Sequence, residues 1–159
     1  ICKKIKEEKL EYKLLILGTG AEKDNLEQQV KKYGLEDQII LGGYVNNPYP
    51  FIKAADIFVC SSRYEGLSTV MSETIILGTP IITTDVSGAK EVLGEKSEYG
   101  LVVDNDEDAL YDGLKKLLNN PEMLMHYREK ASERAAFFET KHTVHAVEEL
   151  IEEVWQCRK

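Results

Sequence analysis

The sequence contains little that could bind a metal ion or build a disulfide framework. Only 3 of its 159 residues are cysteines, and no two of them have the close spacing of a zinc site or a redox motif. We therefore expect free thiols in a reducing cytoplasm. The three histidines all fall in the C-terminal third, where we expect structural or surface roles for them rather than a metal site.

Long apolar runs and an excess of basic residues are also missing. The longest apolar runs, such as Leu14–Leu17, are far shorter than the ~20 residues that a membrane-spanning helix needs. The 20 lysines and arginines are outnumbered by 28 aspartates and glutamates, which gives a net charge of −8. Because this charge repels phosphate backbones, we expect no nucleic-acid partner. The chain does not begin with Met, and we expect it to be a piece of a longer protein.

What is present is a regular alternation of short apolar runs and helical patterns, typical of a parallel sheet with crossover helices. The predicted strands are 12–17, 38–41, 57–60, 80–84 and 100–103. The predicted helices are 22–33, 50–55, 68–77, 89–93, 106–118, 121–138 and 143–155, with Asp106 and Asn120 as N-caps. The sequence therefore predicts an α/β fold with a doubly wound parallel sheet and C-terminal helices.

Ligands of such sheets bind beyond the carboxyl ends of the strands. Four predicted loops lie there, and all of them contain small or polar residues: 18–20, 42–45, 61–67 and 85–88. We expect no Asp-x-Asp pair at a strand end that could bridge a diphosphate through a metal ion. We therefore expect no metal in the site.

Two glutamates eight residues apart are the sharpest local feature, with Glu65 on a loop and Glu73 inside the helix that follows. Because nearly every other position of that helix is apolar or small, we expect the helix to be buried all round. A buried carboxylate is costly unless it accepts strong hydrogen bonds, and Glu73 does not fit a capping box. Either Glu73 reaches solvent at the rim of the sheet, or it accepts hydrogen bonds from vicinal hydroxyls of a ligand.

The start of the same helix suits a phosphate, because its unpaired N–H groups carry a positive partial charge and Gly66 allows close backbone approach. A site that holds a phosphate and has a carboxylate on either side for sugar hydroxyls fits a nucleotide-sugar. An NAD-binding Rossmann domain fits less well, since Lys23 stands where its fingerprint needs a third glycine. Ser61 and Ser62 lack the nucleophile-elbow pattern of a serine hydrolase.

One long run resembles the donor-binding signature of the retaining glycosyltransferases of glycosyltransferase family 4, the glycosyl transferases group 1 type: IFVCSSRYEGLSTVMSETIILGTPIITTDVSGAKEVL. The resemblance also covers LLILGTGAEKDNLEQQVKKYGLEDQIILGGYV and EYGLVVDNDEDALYDGLKKLL, so that residues 12–138 match in order and spacing. Members of that family are two-domain enzymes of the GT-B fold. The resemblance implies that this chain is the Rossmann-like, donor-binding C-terminal domain of such an enzyme. It also implies a nucleotide-sugar, specifically a UDP-sugar, as substrate, and no cofactor.

The resemblance also implies a role for each site residue. Glu65 would contact the sugar ring as the catalytic residue, and Glu73 would bind the ribose hydroxyls. Backbone N–H groups at the start of the helix would hold the distal phosphate, two glycines would border the diphosphate, and the base would lie at the end of the second strand. The implied donor-binding residues are Glu73, Gly66, Leu67, Ser68, Thr69, Gly18, Gly20, Tyr44 and Val45. The run from Asp85 through Gly88 to Glu91 would close the pocket.

The chain departs from the family pattern in small ways and covers only part of it. Ser61 stands where the family usually has Pro, and Thr74 where it usually has Ala. The resemblance places a strand with an Arg and a Lys that clamp the diphosphate before Ile1, and an N-terminal acceptor domain before that. We expect residues 1–138 to form the nucleotide-sugar-binding domain and 139–159 to form a helix that crosses to the missing domain.

The whole protein is then expected to act in polysaccharide or glycolipid biosynthesis. The resemblance implies a cytoplasmic location, with the missing domain as the part that could contact the inner face of the membrane. We expect the fragment alone to be inactive. The alternative that the sequence leaves open is a non-catalytic nucleotide-sugar-binding module of the same fold.

Overall fold

The computed structural model describes residues 1–66 and 68–138, together with the isolated positions 145, 148, 149 and 156. The helix predicted over 143–155, and with it the expected crossing to another domain, lies almost entirely outside these residues. Within the described ranges, no helix is both long and apolar enough to span a bilayer.

Five strands alternate with helices along the chain. The strands are β1 (Leu14–Leu17), β2 (Ile39–Gly43), β3 (Phe58–Cys60), β4 (Ile81–Thr84) and β5 (Leu101–Val103). The helices are α1 (Cys2–Glu7), α2 (Lys23–Lys32), α3 (Tyr49–Ala54), α4 (Thr69–Ile76), α5 (Ala89–Leu93), α6 (Glu107–Leu118) and α7 (Pro121–Ala135), which ends in a 3-10 turn, Ala136–Phe138. All the predicted strands and helices up to residue 138 are present, with most ends moved by one or two residues.

The strands form two hydrogen-bonded sheets, in the orders β1-β2 and β3-β4-β5, and every pair is parallel. The prediction of a parallel α/β fold is therefore confirmed, but the strands do not form one continuous sheet. On their other edges β1 and β3 pair with no strand of the described part of the chain. β4 lies between two partners, and all four of its side chains are buried.

The core lies on both faces of β4, because neighbouring side chains of a strand point in opposite directions. Ile81 packs into a cluster with residues of α4, α5 and α7, including Met71, Ile75, Val92, Leu93 and Ala131. Ile82 packs on the other face with Leu110, Leu117 and Tyr127, from α6 and α7. Helices therefore cover both faces of this sheet, as the doubly wound architecture requires.

Helix α6 approaches its sheet closely at Gly113, which is buried. A Cβ atom added to Gly113 would lie 2.8 Å from Cδ1 of Ile82 and 2.9 Å from Cγ1 of Val103. With any larger residue, either these side chains of β4 and β5 or the helix itself would have to shift.

The N-caps of α6 and α7 are formed as predicted. The side chain of Asp106 accepts a hydrogen bond from the N–H of Ala109 at 2.8 Å. The side chain of Asn120 accepts one from the N–H of Met123 at 3.0 Å. Both helices therefore begin at the residue that their capping chemistry specifies.

Helix α1 was not predicted, and it is held to α6 by charged side chains. Lys4 donates to Asp108 at 2.7 Å, and Lys115 lies 2.7 Å from the carboxylate of Glu8, which also accepts from the hydroxyl of Tyr111. The hydrogen bond from Lys4 holds the pKa of Asp108 below its ordinary value, and those from Lys115 and Tyr111 do the same for Glu8. These pairs join the segment before β1 to the helix that follows β5.

Candidate functional site

The loop after β3 is fixed by side chains that follow the two neighbouring strands of its sheet. Thr84, at the end of β4, donates its hydroxyl to the carbonyl of Ser62 at 2.6 Å. Asn105, just after β5, donates its amide to the carbonyl of Arg63 at 2.8 Å. Because parallel strands end at one edge of a sheet, these anchors reach the loop without a long connection. The backbone that leads to Glu65 therefore has a defined path.

Glu65 lies half-buried on this loop and has a hydroxyl partner. Ser62 donates its side-chain hydroxyl to Oε2 of Glu65 at 3.1 Å. The buried thiol of Cys60 lies 3.7 Å from the same hydroxyl oxygen. The sequence reasoning considered Ser62 only as a nucleophile and missed this contact, although a spacing of three residues in a loop permits it.

Glu73 lies half-buried on α4, and the expectation that this helix is buried all round is wrong. Met71, Thr74 and Ile75 are fully buried, but Ile76 is 53% exposed. With only eight residues, α4 packs one side into the core and leaves the other at the surface. Oε1 of Glu73 accepts a hydrogen bond from the hydroxyl of Tyr49 at 3.2 Å. Tyr49 comes from α3 and was not among the predicted site residues.

The start of α4 is formed by Ser68 and Thr69. Ser68 is the N-cap and is 3% exposed, but its side chain makes no capping hydrogen bond. The first N–H groups of a helix have no partner inside it, so this end can accept an anion. A Cβ on the neighbouring Gly66 would meet no atom within 4 Å, so packing does not require a glycine there. Leu67, the remaining predicted residue, is outside the described part of the chain.

The glycine turn after β1 meets the end of β2. The N–H of Gly18 donates to the carbonyl of Gly43 at 2.7 Å, and Gly18 has a φ of 125°, a conformation that favours glycine. That N–H is therefore occupied and cannot donate to a phosphate. A cavity of about 230 Å³ lies beside this turn and is lined by Gly18, Gly20 and Lys23 among others. Its lining includes neither of the two glutamates.

The residues that follow β2 point largely into solvent. Tyr44 is 73% exposed, and Val45 is half-buried. Both stand just after the carboxyl end of their strand, where the family resemblance implies a base. An exposed aromatic ring at this edge is available for stacking.

The loop after β4 carries an ion pair. Lys90 lies 3.0 Å from the carboxylate of Asp85, and this hydrogen bond raises the pKa of Lys90. The loop ends at Gly88, which has a φ of 77° and is the N-cap of α5. Arg134 holds α5 in place by donating to the carbonyls of Glu91 at 2.7 Å and Val92 at 3.1 Å.

The expectation that no Asp-x-Asp pair stands at a strand end is wrong, because Asp104 and Asp106 follow β5. Asp106 is committed to the N-cap of α6, where it accepts the N–H of Ala109. Among the described residues, no group of three or more His, Cys, Asp or Glu side chains is arranged to hold a metal ion.

Comparison with known sequences identifies the family. The profile described as "Glycosyl transferases group 1" matches residues 1–134. The chain belongs to the glycosyl transferases group 1 family. The family resemblance predicted from the sequence is thereby confirmed.

Two curated relatives illustrate the similarity of this group 1 chain to named proteins. It is 37% identical over 133 residues to the N-acetylgalactosamine-N,N'-diacetylbacillosaminyl-diphospho-undecaprenol 4-alpha-N-acetylgalactosaminyltransferase of Campylobacter jejuni, a match that covers 82% of this chain and 36% of the relative. It is 32% identical over 108 residues to the lipopolysaccharide core biosynthesis glycosyltransferase LpsD of Rhizobium meliloti, covering 68% of this chain and 32% of the relative. The chain thus spans about a third of the length of these relatives.

Solved structures show the same fold. The sucrose-phosphate synthase of Thermosynechococcus elongatus matches 91% of this chain with a TM-score of 0.76 at 26% identity, over 39% of its own chain. S. aureus TarM, solved in a complex that includes UDP, matches 95% of this chain with a TM-score of 0.80 at 24% identity, over 30% of its own chain. Pneumococcal GtfA, solved with UDP and GlcNAc, matches 97% with a TM-score of 0.76 at 21% identity, over 32% of its own chain.

Proposed function

We propose that this chain is the donor-binding C-terminal domain of a retaining glycosyltransferase of the GT-B fold. The whole protein would move a sugar from a nucleotide-sugar to an acceptor held by a preceding domain. The observation that carries this proposal is the pair of half-buried carboxylates, Glu65 and Glu73, each with one hydroxyl donor. Among the described residues neither carboxylate takes part in an ion pair, so both keep acceptor capacity for a ligand rich in hydroxyls.

In this proposal the two glutamates bind different parts of the donor. Glu73 accepts hydrogen bonds from the ribose hydroxyls, and Glu65 contacts the transferred sugar as the catalytic residue. Hydrogen bonds to an ionised carboxylate are roughly twice as strong as neutral ones, so each contact contributes both affinity and orientation. Tyr44 and Val45 would lie beside the base.

The diphosphate would be held by the start of α4, through the backbone N–H groups of Leu67, Ser68 and Thr69, with Gly66 allowing close approach. The positive partial charge of the helix N-terminus stabilises the negative charge that develops on the leaving diphosphate. Gly18 and Gly20 would border it without side chains in the way. Further cations would come from a strand before Ile1, and no metal ion is required.

The relatives support a more specific proposal for the donor and for the kind of product. TarM and GtfA were solved with UDP, which favours a UDP-sugar as the donor. The Campylobacter relative is named for transfer onto a diphospho-undecaprenol-linked saccharide, and the Rhizobium relative for lipopolysaccharide core biosynthesis. We therefore assign the whole protein to polysaccharide or glycolipid biosynthesis at the cytoplasmic face of a membrane. Residues 1–138 would form the donor domain, and 139–159 a helix that crosses to the acceptor domain.

The experiment is a donor screen with the full-length protein, using a panel of UDP-, GDP- and ADP-sugars and a lipid-linked acceptor. The expected result is transfer from a UDP-sugar. NMR of the product should show the same anomeric configuration as in the donor. Inversion at the anomeric carbon would refute the retaining mechanism. Tight binding of a nucleotide-sugar with no transfer to any acceptor tested would instead favour a non-catalytic binding module.

A further inference from the structure

We propose that Tyr49 is a positioning residue that orients the carboxylate of Glu73 for the donor ribose. This inference rests on the proposed function, in which Glu73 binds the ribose hydroxyls. It concerns a residue 24 positions away in the sequence, on a different helix, that acts on the ligand only through Glu73.

The contact is a hydrogen bond from the hydroxyl of Tyr49 to Oε1 of Glu73, over 3.2 Å. The Tyr49 side chain is 44% exposed, so its ring is not held there by burial in the core. This hydrogen bond, together with the negative charge of Glu73, raises the pKa of the Tyr49 phenol above its ordinary value. A phenol is protonated at neutral pH even without this shift, so Tyr49 is a hydrogen-bond donor there.

Helix α3, which presents Tyr49, is anchored at both ends. The N–H of Tyr49 donates to Oδ1 of Asn47 at 3.2 Å, which fixes the start of the helix. Near its end, the carbonyl of Ile52 accepts the hydroxyl of Thr79 at 2.8 Å. Thr79 is fully buried and lies three residues after the end of α4, to which it is joined by a hydrogen bond from its N–H to the carbonyl of Thr74. The end of α3 is therefore tied to the segment that follows α4 by a contact that does not involve Glu73.

A fixed donor at this position orders a side chain that is otherwise free to rotate. The terminal torsion of a glutamate is broad, so a half-buried carboxylate samples many orientations. A carboxylate offers about four acceptor sites, and Tyr49 uses only one of them, on Oε1. Oε2 and the rest of Oε1 remain for two vicinal hydroxyls. A carboxylate that is already ordered loses less freedom when the ligand binds.

The test is calorimetric titration of UDP into the full-length protein carrying Tyr49→Phe, which removes only the hydroxyl. We expect the Kd for UDP to rise about three- to tenfold, the size of one modest hydrogen bond. Titration of 2′,3′-dideoxy-UDP should show no difference between wild type and variant, because this analogue lacks the hydroxyls that Glu73 binds. The matched control is Tyr33→Phe, a tyrosine of similar exposure at the end of α2, which should bind both ligands as the wild type does.

Two further measurements separate a positioning role from a structural one. Adding Tyr49→Phe to Glu73→Gln should not weaken UDP binding beyond the single Glu73→Gln change. Unchanged circular dichroism and melting temperature would show that the fold is intact.

The outcomes distinguish this inference from the function on which it rests. If Glu73→Gln weakens UDP binding and Tyr49→Phe does not, the positioning role is overturned and the proposed function stands. If Tyr49→Phe weakens UDP and the dideoxy analogue equally, Tyr49 does not act through the ribose contact, and the inference also fails. If Glu73→Gln leaves UDP binding unchanged, the proposed role of Glu73 itself is wrong.

Discussion

The hydroxyl of Ser62 donates to Oε2 of Glu65 at 3.1 Å, while the carbonyl of the same serine accepts the hydroxyl of Thr84 at 2.6 Å. Ser62 thus connects the proposed catalytic carboxylate to the end of β4, a strand that is buried along its whole length. Glu65 stands on a loop, yet its side chain is tied through Ser62 to the buried central strand of the sheet. The same arrangement leaves Oε1 of Glu65 open to a ligand.

Ser62→Ala should lower kcat/KM for sugar transfer by about tenfold, because losing one hydrogen bond to a charged group is worth about 1.5 kcal/mol. Binding of UDP alone should stay unchanged, since UDP lacks the sugar that Glu65 contacts. Ser61→Ala is the control, because no hydrogen bond of the Ser61 side chain is found among the described residues. Equal losses in both variants would mean that the loop tolerates no change there and that Ser62 has no particular role.

Glu73→Gln should weaken the binding of both UDP and the nucleotide-sugar by about ten- to a hundredfold. The change preserves the shape of the side chain but removes the charge-assisted hydrogen bonds to the ribose, each worth roughly 1.5–3 kcal/mol. The melting temperature should change little, because Glu73 is only half-buried and makes no ion pair within the described ranges. An unfolded variant, or one that binds UDP as tightly as the wild type, would contradict the assignment.

Glu65→Gln should separate binding from turnover. UDP affinity should stay close to that of the wild type, because the base, ribose and diphosphate contacts are intact. Recognition of the transferred sugar and kcat should both fall, since the charge that faces the sugar ring is gone. Paired titrations with UDP and with the nucleotide-sugar, followed by a turnover assay, measure the difference. A loss of UDP affinity as large as that of Glu73→Gln would show that the two carboxylates do not have distinct roles.

Gly113→Ala should destabilise the domain by about 1–2 kcal/mol. Overpacking a core costs about 1–3 kcal/mol, and replacing a helical glycine by alanine returns up to about 1 kcal/mol. The cost arises because the new methyl would lie 2.8 Å from Ile82 and 2.9 Å from Val103. Denaturant unfolding of this variant beside Gly20→Ala measures the effect, because a Cβ at Gly20 meets no atom within 4 Å. Equal stability of the two variants would show that α6 can move away freely.

Stability should fall in acid as the bonds between α1 and α6 are lost. The folded-state pKa values of Glu8 and Asp108 lie below their ordinary values, so these carboxylates stabilise the fold fully above a pH of about 4.5. That contribution disappears as the pH falls through the lowered values, when both groups become protonated. The double variant Glu8→Gln, Asp108→Asn should have a lower melting temperature than the wild type at pH 7. Its melting temperature should fall less than that of the wild type on acidification. Parallel melting curves at every pH would contradict this account.

Most elements follow from local chemistry and could be predicted from the sequence. The β-branched run of the buried β4 and the capping residues Asp106 and Asn120 each carry their own signal, because strand propensity and capping act over a few residues. Helix α1 carries no such signal. It is dominated by lysine and glutamate, buries only Ile5, and is held by Asp108 and Lys115, about a hundred residues away.

The two carboxylates of the candidate site could be selected from the sequence, but the hydroxyl groups that donate to them could not. Glu65 and Glu73 lie in one continuous segment, so their spacing can be read from the sequence. The hydrogen bond from Tyr49 to Glu73 joins two helices across 24 residues and depends on the tertiary structure. The expectation that Glu73 lies on a helix buried all round was wrong for a related reason. Periodicity shows which residues are apolar, but the packing of α4 against α7, α5 and β4 decides which of its faces is buried.

The unpaired strand edges affect whether the isolated chain self-associates in solution. A strand edge that pairs with nothing exposes a row of hydrogen-bonding groups that a second molecule can use as a template. Within the described ranges, β1, β2, β3 and β5 each have one edge that pairs with no strand, and Leu15 of β1 is 39% exposed. We therefore expect the chain on its own to self-associate as its concentration rises, and to become monomeric when an added segment pairs with those edges.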